Sequence, residues 1–261
     1  MSHLLILPFF FIITISAQSN NSTFPNCPPA NCGTVNISYP FWKMDTESTA
    51  QFCGYDGFGI NCSDTGDQTI SQITLGGDSY YVREINYVFG NIFLADYDVS
   101  PAAVDHNNCP RVRHNITLGT LPLNFSMYSV NLSFHFECNR CPSFATEIPC
   151  LDNNGGKSCV HNMSTGTEET ADWEGYSCDQ EVVTTVYREY INMNPNFSTE
   201  FSRILQGGFG LQWRTMDVDD CEKCEESGGR CGRQNTTDFF CFCSDGTIGW
   251  GDCKGTIVTI V

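Results

Sequence analysis

The sequence predicts a β-rich protein of small, disulfide-rich modules, with one short helix and a cysteine-rich C-terminal tail. Three observations carry that class. There are 16 cysteines in 261 residues, all between Cys27 and Cys253, and an even set in a secreted chain reads as a disulfide framework. The extended segments are short, alternate apolar with polar side chains, and are separated by Gly, Asn, Asp and Pro. A helical period surfaces once, over Phe201, Ile204 and Leu205.

Secretion is read from the first residues. Leu4 to Ile13 is a mostly apolar run ending at Ile15-Ser16-Ala17, a small-residue site for signal peptidase. Residues 1–17 therefore read as a signal peptide, too short for a membrane span. The cysteines that follow, Cys27, Cys32, Cys53, Cys62, Cys109, Cys138, Cys141, Cys150, Cys159, Cys178, Cys221, Cys224, Cys231, Cys241, Cys243 and Cys253, are expected to be bridged, with connectivity left open. Each bridge contributes about 2–4 kcal/mol by restricting the unfolded chain, which offsets a small core. Glycans are expected at the Asn-x-Ser/Thr sequons of Asn36, Asn115, Asn124, Asn131, Asn162, Asn196 and Asn235. Asn20, Asn21 and Asn61 also head sequons, the last with Cys62 inside it.

The net charge is −17 from 13 basic and 30 acidic residues, and the deficit is spread along the chain. Nucleic acid and anionic membrane are poor partners for such a surface. A polyanionic ligand needs a local basic patch or a bridging cation.

In chain order, residues 18–31 read as a lead-in held at Cys27. Asn31 to Tyr39 alternates, with Val35, Ile37 and Tyr39 on one face, until Pro40 ends the ladder and presents Phe41 and Trp42 beside a crosslink. Further strands are expected at Phe58–Cys62, Thr69–Leu75, Tyr80–Ile85 and Asn91–Leu94, with a hairpin turn at Gly76-Gly77-Asp78-Ser79. The turn-rich stretch Pro101 to Pro110 is the expected boundary between a first module, 27–100, and a second, 101–253. Beyond it, Asn131–Cys138 alternates with Leu132, Phe134 and Phe136 inward and His135 outward. Glu181–Tyr187 is β-branched enough for a strand. Ser198 is expected to cap the helix and Gly207 to close it in a left-handed conformation. Asp217 to Cys253 reads as an acidic tail of six cysteines without a core of its own.

Catalytic and metal motifs are sparse. His106, His114, His135 and His161 have no nucleophile motif beside them, and no two of the 30 acids are marked as a glycosidase pair. The pairs Cys138/Cys141 and Cys221/Cys224 have zinc-like internal spacing but stand too far apart for a zinc ribbon, so disulfides are expected of them. Asp217-Val218-Asp219-Asp220-Cys221 is similar to the opening of a calcium-binding EGF-like module, and the tail is expected to be EGF-like. Carboxylate oxygens at that spacing suit calcium, but Arg233 stands where such modules place Asp or Asn, which favours a solvated acidic linker.

Cys32-Gly33, Ile37-Ser38-Tyr39-Pro40-Phe41-Trp42, Cys53-Gly54-Tyr55, Cys62 and Tyr81-Val82 resemble the galacturonan-binding extracellular domain of plant wall-associated receptor kinases. Leu205-Gln206-Gly207-Gly208-Phe209, Trp213, Cys221, Cys224, Ser227-Gly228-Gly229, Cys231-Gly232, Cys241 and Cys243 resemble the C-terminal module that follows it, as in leaf-rust-resistance-like receptor kinases. The resemblance implies binding of cell-wall pectin or oligogalacturonide by a non-catalytic ectodomain, secreted, or at the cell surface if the chain is a shortened receptor. The alternative is a secreted protein-interaction module or decoy that docks a receptor partner. No kinase motif occurs: Gly207-Gly208-Phe209-Gly210 lacks the spacing of a nucleotide loop, and the apolar end, Thr256 to Val261, is too short to span a bilayer. Aromatic faces with fixed polar groups make sugar sites, so Tyr39, Phe41 and Trp42 are the candidate platform. Lys43, Arg83, Arg111 and Arg113 are its candidate carboxylate partners. The competing reading places Tyr39, Phe41 and Trp213 in the core and Arg111-Val112-Arg113-His114 in a solvated loop.

Overall fold

A computed structural model describes residues 24–44, 51–66, 69–99, 109–153, 155–163, 173, 175–193, 196–214, 219–234 and 239–254. The expected signal peptide, Asn20, Asn21, Asn235, His106, Asp217 and the C-terminal apolar residues lie outside these. Among the described residues the fold is strand-rich with few helices, and all 16 cysteines are paired into eight bridges.

The first segment differs from a single strand. Ala30–Cys32 (β1) and Val35–Ile37 (β2) form a hairpin in which Cys32 faces Val35 across the two-residue turn Gly33-Thr34. Gly33 has φ +58°, a conformation that suits a two-residue loop and that glycine adopts without steric cost. Val35 and Ile37 are buried as the alternation predicts.

Trp42–Met44 (β3), Gln51–Cys53 (β4), Gly59–Asp64 (β5), Thr69–Leu75 (β6), Asp78–Asn86 (β7) and Asn91–Asp96 (β8) follow. The β6–β7 turn is Gly76-Gly77, both at positive φ, with Leu75 facing Asp78. Leu123–Phe125 (β9) and Phe209–Trp213 (β14) come from far along the chain but complete the same seven-stranded sheet, ordered β3-β5-β6-β7-β8-β14-β9. The sheet thus takes strands from both sides of the stretch 101–110.

A second sheet is ordered β11-β12-β10-β13, from Ser129–Cys138 (β10), Thr146–Glu147 (β11), Lys157–Asn162 (β12) and Gln180–Tyr187 (β13). Arg188–Asn192 (α1) and Phe197–Gly207 (α2) follow β13, and α2 buries Phe201, Ile204 and Leu205 in the same core as Leu132, Phe134 and Phe136. Two details correct the expectation. The cap is Asn196, whose side chain accepts from the Ser198 N–H at 3.2 Å. The closing glycine is Gly208, at φ +76° and ψ −157°, a positive-φ but not left-handed helical conformation, while Gly207 lies under the Tyr190 ring, where a Cβ would sit 2.2 Å from it.

His135 does not face solvent. It is 5% exposed, with Trp173 stacked on it at 3.4 Å between ring centroids, so β10 is covered on both faces.

The tail also differs from expectation. Asp219–Glu226 (α3) is a helix carrying Cys221 and Cys224, so the described residues hold three α-helices rather than one. Cys221 bonds Cys231 and Cys224 bonds Cys241, both across to the strands Arg230–Gln234 (β15) and Phe239–Phe242 (β16), and Cys243 bonds Cys253. Along the tail the order is first to third, second to fourth and fifth to sixth. The tail is not coreless. Cys221, Cys224, Cys231, Cys241 and Cys243 are buried in one cluster with Phe41, Phe58 and Leu211 of the large sheet's core. The third sheet, β17-β16-β15-β4 with Ile248–Gly249 as β17, pairs Cys53 of β4 with Gly232 of β15. The tail is therefore docked on the first module, and its sulfur packing leaves no room at Gly229, where a Cβ would lie 2.3 Å from Cys241 Sγ.

Candidate ligand-binding cleft

Where the tail meets the first module, the chain leaves an open cleft of about 440 Å³ lined by Phe24, Tyr39, Pro40, Tyr55, Tyr87, Trp213, Glu225, Gly228, Gly229 and Arg230. That volume lies within the range of small-ligand sites, about 300–1,000 Å³.

Each ring is held by a specific anchor. Tyr39 follows β2, and its hydroxyl donates to Glu225 Oε1 and accepts from the Cys231 N–H at 3.1 Å. Tyr55 donates to the same carboxylate oxygen at 2.7 Å and meets Tyr39 edge-on, centroids 5.6 Å apart. At the end of β7, the Tyr87 hydroxyl donates to the Asn36 carbonyl at 3.1 Å and accepts from the Ser38 N–H at 2.6 Å, tying the strand to the first hairpin. Trp213 ends β14 and meets Tyr87 at 5.9 Å and Phe41 at 5.1 Å, both edge-on. Arg230 opens β15, with its guanidinium 4.0 Å from the Phe24 ring centroid and donating to the Cys27 carbonyl at 3.2 Å.

Tyr39 and Tyr87 act here as neutral hydroxyls. Burial, then the neighbouring Tyr55 and Glu225, pushes the Tyr39 phenol far above its ordinary range, and burial pushes Tyr87 up to about 12. Burial lowers the Arg230 pKa, against an opposing contribution from Tyr39. Among the described lining residues, Arg230 is the only cation and Glu225 the only anion.

The expected site residues separate in space. Tyr39 lines the cleft. Phe41 does not, because it is 1% exposed and stacked on Phe58 at 4.8 Å, so this expectation is corrected to core. Trp42 is a packing residue: its indole N–H donates to the Tyr55 carbonyl at 3.0 Å, and its ring occupies the space a side chain at Gly54 or Gly59 would need. Lys43 is on β3, outside the cleft lining. Arg83 lines another groove of about 440 Å³, with Cys32, Thr34, Thr69 and Tyr81, that shares no lining residue with the cleft. Arg111 packs on the Phe136 ring at 4.1 Å and donates to Gln180 Oε1 at 2.9 Å, while Arg113 lies 3.9 Å from Asp98. Neither arginine is in the cleft.

Sequence reasoning missed Phe24, Tyr55, Tyr87, Glu225 and Arg230 as one constellation. Their separation along the chain hides it, and the nearest local signal was Ser227-Gly228-Gly229 just before Arg230.

At the sequons of Asn115, Asn131 and Asn196 it is the side-chain oxygen that is engaged, accepting from the Val183 N–H, the Thr185 hydroxyl and the Ser198 N–H. The two Cys-x-x-Cys pairs are split among four bridges, Cys138–Cys178, Cys141–Cys159, Cys221–Cys231 and Cys224–Cys241. Cys27–Cys53, Cys32–Cys62 and Cys109–Cys150 join the remaining segments.

Among the described residues, one serine–histidine–carboxylate group lies beneath Trp173. Ser133 Oγ is 2.9 Å from His135 Nε2 and donates to Glu181 Oε1 at 2.8 Å. The carboxylate holds the serine rather than the far side of the imidazole, the reverse of what activates a nucleophile, and Ser133 is buried.

Two segments of the chain match known families. Residues 27–96 match the family model described as wall-associated receptor kinase galacturonan-binding, and residues 132–246 match that described as wall-associated receptor kinase C-terminal. Neither is a catalytic segment. Among curated relatives, the Arabidopsis thaliana leaf rust 10 disease-resistance locus receptor-like protein kinase-like 1.2 is 28% identical over 91% of this chain and 35% of its own length. The like 2.3 protein is 28% identical over 88% and 34%, and the like 2.8 protein 23% identical over 80% and 21%. The chain therefore spans about a third or less of these relatives' length. No solved structure matches. With both matched segments in sequence order along one chain, the protein belongs to the wall-associated, leaf-rust-resistance-like receptor kinase family and carries its galacturonan-binding and C-terminal segments.

Proposed function

We propose that this chain is a non-catalytic extracellular module that binds cell-wall pectin through the aromatic cleft. One observation carries the reading: Tyr39, Tyr55 and Tyr87 come from the segment matched as galacturonan-binding, and Trp213, Glu225 and Arg230 from the C-terminal segment, and the two sets face one cleft. Sugar rings present C–H faces that stack on aromatic side chains, and their hydroxyls reach fixed acceptors such as Glu225. In this reading the chain works in the wall or at the membrane surface. No described helix is long and apolar enough to cross a membrane.

Calorimetric titration of the full secreted chain with pectin-derived oligomers tests the site. Tyr87→Leu and Trp213→Leu should each weaken binding about tenfold, equivalent to about 1.4 kcal/mol, with thermal melts confirming the fold. Arg83→Gln, in the separate groove, should leave affinity unchanged. Binding lost with Arg83→Gln and kept in the two cleft variants contradicts the assignment.

A second reading, docking of a receptor partner, is favoured by the tip of the β7–β8 hairpin, where Val88 is 87% and Phe89 67% exposed beside Tyr87. Val88→Ser/Phe89→Ser should then abolish capture of a co-receptor ectodomain while leaving oligosaccharide affinity intact.

A further inference from the structure

We propose that the sulfur cluster behind the cleft wall is a thiol–disulfide switch: when an external dithiol opens the Cys243–Cys253 bridge, Cys253 re-pairs with Cys241 and sets Cys224 free.

Two bridges meet at this point. Cys224–Cys241 ties α3 to β16, and Cys243–Cys253 closes the end of the tail. Cys241 Sγ and Cys253 Sγ belong to different bridges yet lie 3.4 Å apart. Thiol–disulfide exchange proceeds by attack of a thiolate on a disulfide sulfur, and reacting atoms about 3–3.5 Å apart are placed for such an attack. The local backbone holds them there. Ser227 Oγ accepts from the Cys253 N–H at 2.8 Å and donates to the Cys224 carbonyl at 2.7 Å. A Cβ at position 229 would lie 2.3, 2.7 and 2.8 Å from the Cys241, Cys253 and Cys224 sulfurs, so Gly229 is what lets them gather. Cys224, Cys241 and Cys243 are buried while Cys253 is partly exposed, and a reductant therefore reaches the cluster through Cys253.

Two steps follow. The external dithiol reduces Cys243–Cys253 to two thiols and is itself oxidised to a disulfide. The Cys253 thiolate then attacks Cys241 Sγ: the Cys241–Cys253 bond forms, the Cys224–Cys241 bond breaks, and Cys224 leaves as a thiolate that takes up the proton Cys253 gave up. Both electrons come from the dithiol, and the second step is redox-neutral.

The consequence falls on the cleft, whatever ligand the cleft takes. Cys224 precedes Glu225, the carboxylate that receives the Tyr39 and Tyr55 hydroxyls, and Gly228 and Gly229 line the same wall. With Cys224 free, α3 keeps Cys221–Cys231 as its covalent tie to the strands and the wall loosens.

The test treats the full secreted chain with graded dithiothreitol, traps thiols with N-ethylmaleimide, and maps bridges by tandem mass spectrometry of the non-reduced digest. Chains in which Cys243–Cys253 has opened should carry a Cys241–Cys253 link, with the label on Cys224 and Cys243. Their α3 amides should exchange hydrogen at least tenfold faster than in the untreated chain. Label on Cys243 and Cys253 with Cys224–Cys241 intact overturns the proposal, as does re-pairing that leaves α3 exchange unchanged. A Cys243–Cys253 bridge that stays closed until the chain melts overturns it too. Cys243→Ser repeats the test without reductant: its one thiol should be found on Cys224, and a thiol found on Cys253 contradicts the switch. If that variant is not secreted, the wild-type map decides.

Discussion

At the scale of single residues, the fold separates side chains that composition cannot distinguish. Tyr39 and Phe41 stand two positions apart, yet Tyr39 faces the cleft with its hydroxyl on Glu225 while Phe41 lies in the core between Phe58 and Trp213. Phe41→Ala should therefore lower stability by about 3–5 kcal/mol, the cost of a large buried cavity, read as a fall in denaturant midpoint. Glu225→Gln removes the charge that receives two phenols and should cost about 1–3 kcal/mol. His135 gives a pH signature. Burial beneath Trp173 lowers its pKa, with Glu181 opposing and His161 reinforcing the shift. The unfolded imidazole takes its proton near pH 6.5, where the folded one refuses it. Stability is thus full above about pH 6.5 and falls as the pH drops toward the lowered folded value. Denaturation at pH 7.5 and 5 should show that loss, and His135→Asn should flatten it.

At the scale of elements, local sequence was a good guide wherever neighbours along the chain decide the structure. β6 spans Thr69–Leu75 and its turn uses Gly76-Gly77, as the pattern predicts. The same logic found α2 and its buried face. It missed the ends by a residue or two because Asn196 and Ser198 are both good caps, and Gly207 and Gly208 are adjacent glycines. What decides between the glycines is tertiary. Gly208 passes so close to β8 that a Cβ would sit 1.9 Å from the Leu94 carbonyl oxygen, besides needing φ +76°. Gly208→Ala should cost more than the roughly 1 kcal/mol of a backbone-incompatible substitution alone, with loss of secreted protein as a cheap readout. Asn196→Ala should cost about 1 kcal/mol as a lost cap.

At the scale of the whole molecule, the cleft was illegible because it is made by chain segments nearly two hundred residues apart. Of the cleft residues, Tyr39 alone reads from the sequence as a platform residue. Its partners Glu225 and Arg230 lie in a tail that reads as coreless only until its cysteines are seen packed against the first module. Disulfides shape the tail internally, and strand pairing with core packing joins it to the first module. Cys221–Cys231 and Cys224–Cys241 hold α3, and with it Glu225, against β15 and β16, while β4 pairs β15 across to the first module. Replacing Cys224 and Cys241 together by Ala should cost about 2–4 kcal/mol and weaken oligosaccharide binding in parallel.

The central claim, that the aromatic cleft takes the sugar, is tested most directly by fluorine NMR of the secreted chain labelled with 5-fluorotryptophan. The four tryptophans, Trp42, Trp173, Trp213 and Trp250, give separate reporters on different parts of the surface. On titration with galacturonan oligomers, the Trp213 signal, assigned with Trp213→Phe, should shift saturably while those of Trp173 and Trp250 stay in place. A saturable shift of Trp173 or Trp250 with Trp213 unmoved would contradict the account.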